Sequence, residues 1–219
     1  MKIVEIFKSI EGEGSRAGLP TTFIRLHGCN LNCSYCDSKY ACNGDDYTEL
    51  SIDDIIIKVK ELGLHNITIT GGEPLLHSEI SKLIKKLIDE LSCFINVETN
   101  GSIDISKFCS QSSEHLMFTL DCKCPTSNMA HKMNWNNYAQ CRNIDVVKFV
   151  VGSKIDLDYM RFCMCDQLKN CKAQIYVSPV FGKIDPKQIV EYLLAYRLEN
   201  IKVQLQLHKF IWPADMRGV

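Results

Sequence analysis

Short apolar segments rich in β-branched residues recur along the chain, and several of them are apolar at consecutive positions. Such runs predict strands that are buried on both faces, as in a parallel sheet covered by helices. The predicted strands are TTFIRL (21–26), NITIT (66–70), FINVET (94–99), LMFTLD (116–121), DVVKFVV (145–151), AQIYVSP (173–179) and IKVQLQL (201–207).

Amphipathic stretches between these strands predict helices over residues 51–63, 78–91, 156–170 and 185–200. The first has Ser51 as its cap with Asp54 three positions later, and it ends at Gly63. The last has Asp185 as its cap and Pro186 in its first turn. Strands that alternate with helices predict a parallel α/β sheet, either open or closed into a barrel.

No internal repeat, low-complexity run or linker interrupts this pattern, so residues 1–219 are expected to form one domain. The polar segment 122–144 breaks the alternation and predicts a long loop or a short helix near the functional site.

Polar residues and glycines collect directly after the predicted strands. HGCNLNCSYCDS follows the first strand, GGEP the second, NGS the third, CKCP the fourth, SPVFGK the sixth and HK the last. Because ligands bind at the carboxyl ends of strands in parallel α/β folds, these motifs are expected to meet at one mouth. This regularity predicts an enzyme.

The composition is that of an ordinary globular protein and excludes several classes of partner. Of the 219 residues, 46% are hydrophobic and 23% are charged, and the formal net charge is -1. The interspersed charges indicate neither nucleic acid nor an anionic membrane as a partner. No run approaches the roughly 20 apolar residues of a membrane span, and Glu5 and Glu11 argue against a signal peptide. A cytoplasmic location is expected.

Twelve cysteines are present, and they cluster only once. Without an export signal, they are expected to be reduced thiols. Cys29, Cys33 and Cys36 have the spacing C-x3-C-x2-C, which can hold three irons of a [4Fe-4S] cluster and leave the fourth iron for another ligand. The alternative is a zinc site with Cys42 or His27 as the fourth ligand.

The sequence GCNLNCSYC, followed by TITGGEPLL, resembles the radical S-adenosylmethionine (SAM) superfamily. The resemblance implies that the three cysteines hold a [4Fe-4S] cluster and that SAM binds its open iron. GGEP would support the amino end of SAM, because Gly71 and Gly72 allow close backbone approach and Glu73 can accept from an ammonium.

The N-terminal stretch SIEGEGSRAGLPTTFIRLHGCN resembles, more narrowly, the 7-carboxy-7-deazaguanine synthase family. That family carries a Q-G-E-G motif, an arginine before the cysteine loop, C-D-T after it, an E-T-x-G segment and a late H-K. The corresponding residues here are EGEG (11–14), Arg25, CDS (36–38), ETNG (98–101) and HK (208–209). The resemblance covers nearly the whole chain and implies an abbreviated, partly open parallel (β/α) barrel of the radical SAM type.

The chain departs from the family pattern at a few positions. Glu11 stands where glutamine is common, and Ser38 replaces the usual threonine but keeps a hydroxyl. DCKCP (121–125) stands where many members have S-P-K-x-P. Lys123 matches that pattern, whereas Asp121 and Cys122 do not.

By resemblance, the substrate is 6-carboxy-5,6,7,8-tetrahydropterin and the product is 7-carboxy-7-deazaguanine, formed with loss of ammonia. Arg25 would bind the substrate carboxylate through its planar fork, and an ion pair with a glutamate is the structural alternative. Glu13 would bind the amino-pyrimidinone edge. The implied substrate-binding residues are Ile10, Glu11, Gly12, Glu13, Arg25, Thr70 and His208.

The resemblance also implies three cofactors, the cluster, SAM and Mg2+. The implied SAM-binding residues are Tyr35, Asp37, Gly72, Glu73, Glu98, Asn100, Asp121, Cys122, Lys123 and Ser178. The hydroxyl of Ser38, with Asp37 behind it, would hold Mg2+, which prefers hard oxygen ligands. A homodimer and an electron donor such as flavodoxin or ferredoxin are expected as well.

Two other functions remain open on the sequence. A glycyl-radical-enzyme activase is also small and SAM-dependent, but it acts on a protein and needs neither Arg25 nor the EGEG turn. A non-enzymatic zinc-binding module would use the cysteines alone.

Overall fold

The computed structural model describes residues 1–109 and 114–219, and its strands pair into one nine-stranded sheet. The strands are β1 (Lys2–Ile10), β2 (Pro20–Leu26), β3 (Thr48–Glu49), β4 (Asn66–Gly71), β5 (Phe94–Thr99), β6 (Leu116–Asp121), β7 (Val146–Val151), β8 (Gln174–Pro179) and β9 (Ile201–Val203). Their order across the sheet is β3-β1-β2-β4-β5-β6-β7-β8-β9.

The parallel α/β fold class is confirmed, with an antiparallel edge added. Neighbouring strands from β2 to β9 are parallel, whereas β1 runs antiparallel to β2 and to β3. β3 and β9 lie at the two ends of the sheet, so the barrel is only partly formed. The sequence prediction omits β1 because Lys2, Glu5 and Lys8 interrupt its apolar pattern.

Eight helices are described: α1 (Lys39–Cys42), α2 (Ile52–Leu62), α3 (Ile80–Leu91), α4 (Ser106–Cys109), α5 (Trp135–Gln140), α6 (Lys154–Cys165), α7 (Pro186–Ala195) and α8 (His208–Ile211). The four predicted helices correspond to α2, α3, α6 and α7. Ser51 caps α2 in a reciprocal box with Asp54, and Asp185 caps α7 by accepting from the N–H of Lys187 at 2.9 Å.

Several predicted boundaries are wrong. Helix α6 ends at Cys165 rather than at 170, and α7 ends at Ala195 rather than at 200. The predicted strand 201–207 stops at Val203. Directly after it, the side chain of Gln204 bonds to the backbone of Gly14, which lies between β1 and β2. The segment 122–144 forms short helical turns and α5, as expected.

The hydrophobic core lies between the sheet and the helices that cover it. Ile24, Ile69, Val97 and Leu120 of the central strands are fully buried, and they pack in one cluster with the apolar stripes of α2 and α3. Within the described part of the chain, no helix combines the length and the apolar composition that crossing a membrane requires.

Candidate active site

A cavity of about 290 Å³ lies at the carboxyl ends of the parallel strands, where the sequence motifs were expected to meet. Seven predicted substrate-binding residues line it: Ile10, Glu11, Gly12, Glu13, Arg25, Thr70 and His208. The predicted cofactor residues that also line it are Cys29, Cys33, Tyr35, Cys36, Asp37, Ser38, Gly72, Glu98, Asn100, Asp121 and Lys123. The structure therefore brings most of the predicted site residues together.

Three predicted SAM-binding residues do not line the cavity. Glu73 lies behind it, fully buried. Cys122 is also buried, and its thiol contacts Cys163 of α6. Ser178 of β8 is buried, and its hydroxyl has no hydrogen-bond partner among the described residues. In this structure these three side chains support the wall of the site and do not face its interior.

The cysteine loop (residues 28–36) follows β2 and places its three thiols in the cavity. Sγ of Cys36 lies 4.0 Å from Sγ of Cys42, and the side chain of Asn100 donates to Sγ of Cys29 at 3.7 Å. Hydrogen bonding with Cys42 lowers the pKa of Cys29 to about 6 and that of Cys36 to about 7, although burial opposes both shifts. A lowered thiol pKa favours the thiolate, which is the form that binds metal.

The GGEP turn packs directly against the cysteine loop. A Cβ atom on Gly72 would lie 2.2 Å from the carbonyl oxygen of Gly28, so only glycine permits this approach. The N–H of Glu73 donates to the same carbonyl oxygen at 2.8 Å.

The carboxylate of Glu73 is bonded entirely within the protein. It accepts from the N–H of Leu75 at 3.0 Å, the hydroxyl of Thr99 at 2.8 Å and the N–H of Asn100 at 2.7 Å. Burial raises its pKa to about 7. These bonds tie the GGEP turn to the end of β5, which explains why Glu73 faces away from the cavity.

The connection between β1 and β2 forms the opposite wall. The N–H of Leu207 donates to the carbonyl oxygen of Gly12 at 3.1 Å, and a Cβ atom on Gly12 would lie 2.2 Å from Nδ1 of His208. Residues 12 and 208 are therefore in contact although they are far apart in sequence. Burial lowers the pKa of His208 below its ordinary value, so its imidazole is neutral at pH 7.

Two glutamates near this wall have raised pKa values. Glu11 is 2% exposed, and it accepts from the hydroxyl of Thr68 at 2.5 Å. Burial, followed by repulsion from Glu98, raises the pKa of Glu11 to about 7. Burial also raises the pKa of Glu98, which is hydrogen-bonded to Thr70. Both groups are therefore easier to protonate than ordinary carboxyls.

Arg25 lines the cavity and also has a protein partner. Its Nε donates to Oε1 of Glu5 at 2.6 Å, and the two side chains are 15% and 20% exposed. The hydroxyl of Tyr40 donates to the same oxygen at 3.1 Å. The ion pair that the sequence left as an alternative is thus present, and it uses the Nε edge of the guanidinium.

The base of the cavity carries a chain of alternating charges, here called the charged floor (Glu13, Asp121, Lys123 and Lys148). Nζ of Lys148 lies 3.2 Å from Oε2 of Glu13 and 3.6 Å from Oδ1 of Asp121, and Lys123 pairs with Oδ2 of Asp121. Sequence reasoning missed Lys148. The available signal was a lysine in the middle of the apolar run DVVKFVV.

Ser38 lies at the rim of the cavity within a small polar group. Its hydroxyl donates to Oδ1 of Asp37 at 3.0 Å, and Nζ of Lys209 donates to Oδ2 of Asp37 at 2.9 Å. Although partial burial raises the pKa of Asp37, the ion pair with Lys209 lowers it to about 2. The group supplies ionised, hard oxygen atoms beside the cavity.

Residues 214–219 also line the cavity. The guanidinium of Arg217 lies 3.5 Å from the centre of the Tyr40 ring and pairs with Asp46 at 3.0 Å. These contacts hold the segment across the side of the mouth that Arg25 occupies.

The fold and the three-cysteine loop define the class of protein. A family pattern described as the Radical SAM superfamily matches residues 23–121. QueE from Escherichia coli has the same fold, with a TM-score of 0.76, 20% identity and 94% of each chain covered. SuiB from Streptococcus suis bound to S-adenosylmethionine gives a TM-score of 0.59 at 16% identity, over 88% of this chain and 54% of that one. The protein is a radical SAM enzyme.

Full-length relatives give the particular family. A 7-carboxy-7-deazaguanine synthase of Clostridium acetobutylicum is 41% identical over 219 residues, which cover 100% of this chain and 99% of that protein. The synthase of Methanospirillum hungatei is 39% identical over 96% of this chain and 85% of its own length. The chain belongs to the 7-carboxy-7-deazaguanine synthase family. The resemblance seen in the sequence is confirmed, and neither the activase nor the zinc-binding module is favoured.

Membership in the radical SAM superfamily implies a [4Fe-4S] cluster and SAM as cofactors. The donor set fits the cluster, because three thiols from one loop share the cavity and two of them have lowered pKa values. Within the described residues, no three Cys, His, Asp or Glu side chains lie close enough together to hold a single metal ion.

Proposed function

We propose that this enzyme converts 6-carboxy-5,6,7,8-tetrahydropterin to 7-carboxy-7-deazaguanine with loss of ammonia. The observation that carries the proposal is the shared cavity, which is lined by Ile10, Glu11, Gly12, Glu13, Arg25, Thr70 and His208 together with the three cysteines. Family membership supplies the identity of the reaction. The 219 residues would act as one radical SAM domain.

Cys29, Cys33 and Cys36 would hold the cluster. The chemistry that the cluster and SAM supply when bound is the removal of a hydrogen atom from C6 of the pterin. Gly72 and Asn100 would shape the SAM pocket beside the cysteine loop. Glu73 would act from behind by holding the GGEP turn.

Arg25 and Glu13 would orient the two ends of the substrate. Glu5 fixes one edge of the Arg25 guanidinium, and we propose that the rest of the fork binds the substrate carboxylate. Glu13 would accept hydrogen bonds from the amino-pyrimidinone edge. His208, which is neutral at pH 7, can donate or accept at the same wall.

Ser38 is proposed to contribute one ligand to a Mg2+ ion that also binds substrate oxygens and water. The ionised carboxylate of Asp37 orients the Ser38 hydroxyl and adds negative charge beside it. A homodimer, an electron donor such as flavodoxin or ferredoxin, and a cytoplasmic location belong to the same proposal.

Anaerobic turnover tests the function directly. Reconstituted enzyme, reductant, SAM, Mg2+ and carboxy-tetrahydropterin should yield 7-carboxy-7-deazaguanine, identified by its mass and ultraviolet spectrum. Cys33→Ala is the matched control and should yield none. Wild-type enzyme with an intact cluster that cleaves SAM but forms no deazaguanine would contradict the proposed substrate.

A further inference from the structure

Lys148 is a buried cation at the centre of the charged floor. It lies on β7, and its side chain is 10% exposed. In the register of the sheet it stands beside Asp121 of β6, so the two side chains are neighbours on adjacent strands. Although burial lowers the pKa of Lys148, the surrounding carboxylates of Glu13, Asp121 and Glu98 raise it well above its ordinary value. The side-chain amine of Lys148 is therefore protonated and positively charged.

Glu13 has one oxygen in use and one without a partner. Its Oε2 accepts from Nζ of Lys148 at 3.2 Å, whereas its Oε1 is buried and has no hydrogen-bond partner among the described residues. A buried acceptor without a donor is costly, and such acceptors are rare in folded proteins. Since Glu13 lines the cavity, a bound ligand with an N–H group can supply the missing donor.

The backbone around Glu13 is already fixed by contacts with the end of the chain. The N–H of Gly14 donates to the side-chain oxygen of Gln204 at 2.6 Å, and the amide of Gln204 donates back to the carbonyl oxygen of Gly14 at 2.9 Å. Gly12 accepts from Leu207. What remains variable is the direction of the Glu13 carboxylate, which accepts a hydrogen bond from the side chain of Lys148.

We propose that Lys148 is a positioning residue that holds Oε2 of Glu13 and thereby aims Oε1 at the N–H groups of the pterin ring. The pterin is named here on the strength of the proposed function. A carboxylate oxygen has two lone pairs, so Oε1 can accept hydrogen bonds from adjacent N–H groups of the ring. A single ammonium serves both Glu13 and Asp121, because its donors can rotate toward two carboxylates.

The contact with Asp121 extends the role of Lys148 across the cavity. Asp121 and Lys123 lie in the segment that corresponds to the SAM-binding region of the family, and Glu13 lies on the pterin wall. Lys148 joins the two, so the direction of Glu13 is set relative to the wall that would hold SAM. Loss of Lys148 should affect Glu13 most, because Asp121 keeps Lys123 as a partner.

A double-mutant cycle on the SAM-loaded holoenzyme tests this role. Lys148→Met, Glu13→Gln and the double variant are compared with wild type for anaerobic binding of carboxy-tetrahydropterin. Each single change should weaken binding about 10- to 100-fold, and the double variant should bind about as well as Glu13→Gln alone. Lys187→Met, a change of an exposed lysine on α7, is the control and should bind normally.

An analogue without the 2-amino group separates positioning from general support of the fold. Wild-type enzyme should prefer the natural substrate strongly, and Lys148→Met should lose most of that preference. Normal binding by Lys148→Met, additive effects in the cycle, or unchanged preference in Lys148→Met would each overturn the proposal.

The double variant also serves as a folding control, because it leaves no unpaired carboxylate at position 13. Its iron content and SAM affinity should equal those of wild type, and a double variant that does not fold would show that the pair serves the fold. Failure of the proposed function is seen separately, since wild-type enzyme would then not bind or convert the pterin.

Discussion

The two sides of the cavity treat buried carboxylates differently. Behind the cysteine loop, Glu73 receives three hydrogen bonds from the protein itself. On the pterin wall, Glu13 has a buried oxygen with no hydrogen-bond partner among the described residues, and Glu11 accepts from the hydroxyl of Thr68. On the cysteine side the protein itself supplies the hydrogen-bond donors for its buried carboxylate, whereas the pterin wall retains acceptors for a ligand.

Removing any one of the three clustered cysteines should produce the largest effect, which is complete loss of the iron–sulfur cluster. Cys29→Ala, Cys33→Ala and Cys36→Ala should each abolish the cluster and all turnover, because these three thiolates are the proposed protein ligands of the cluster. Iron and sulfide analysis of reconstituted protein measures this. Cys42→Ala is the matched control, and loss of iron in that variant would show that the ligand set is different.

Replacement by glutamine should affect stability differently at the two buried glutamates, although burial raises the pKa of both to about 7. Burial raises the pKa of Glu11 from 4.5 to about 7, so the folded chain binds more protons than the unfolded chain between these pH values. Stability should therefore fall as pH rises through this window, by roughly 3 kcal/mol for this group. Glu11→Gln should remove that loss and be more stable than wild type at pH 8, measured by urea unfolding.

Glu73→Gln is the opposing case. Its pKa is also raised to about 7, but both of its oxygens accept from protein donors. An amide group would face the N–H of Asn100 with another donor, so Glu73→Gln should destabilise the fold at every pH. If the two glutamine variants changed stability in the same way, the proposed difference between the two sides of the cavity would be wrong.

A change at Arg25 tests whether this residue binds substrate or only supports the fold through its ion pair with Glu5. Arg25→Lys should weaken substrate binding by about 1.5–3 kcal/mol, roughly one to two decades, because lysine keeps the charge but loses the planar fork. Cluster content and SAM affinity should be unchanged. If Arg25→Lys instead loses the cluster or misfolds while the surviving fraction binds substrate normally, the arginine serves only its ion pair with Glu5.

The Mg2+ proposal predicts a smaller change at Ser38. Mg2+ should raise turnover, and Ser38→Ala should weaken that response by about 0.5–1.5 kcal/mol, since one hydroxyl is a weak ligand among several. SAM binding should stay as in wild type. A titration of turnover with Mg2+ measures this, and an unaltered metal dependence would place Ser38 outside the metal site.

Arg217 should give the smallest effect. It is 44% exposed, and its contacts with Tyr40 and Asp46 lie at the surface. Arg217→Ala should raise the KM for substrate about twofold and leave kcat unchanged, because exposed ion pairs contribute little. A large fall in kcat would show that residues 214–219 take part in the reaction.

The cysteine side was predictable because its residues are close together in sequence. The C-x3-C-x2-C spacing and the GGEP turn after a strand are local patterns, and the strands and helices between them follow the hydrophobic period. Even here the sequence predicts that Glu73 binds SAM, because a sequence does not show the hydrogen-bond donors that surround a carboxylate.

The charged floor was not predictable in the same way. Glu13, Lys148 and Asp121 come from separate elements, and only strand register places Asp121 beside Lys148. The missed strand β1 and the shortened β9 have a related cause. Lys2, Glu5 and Lys8 interrupt the apolar pattern of β1, and the strand prediction over 201–207 did not anticipate that the chain turns to meet residues 12–14.

That meeting of residues 12–14 with residues 204–208 sets the order in which the enzyme can be made. The cysteine loop, the GGEP turn and Asn100 all lie in the first half of the chain, so a nascent polypeptide holds them early. The pterin wall closes only when residues about 190 positions away, such as Gln204 for Gly14, have left the ribosome. Contacts of such high sequence separation form late, because their loop-closure entropy is lost before they stabilise anything. We therefore expect the cysteine loop to stay accessible from the cavity until residues 204–208 close the substrate wall.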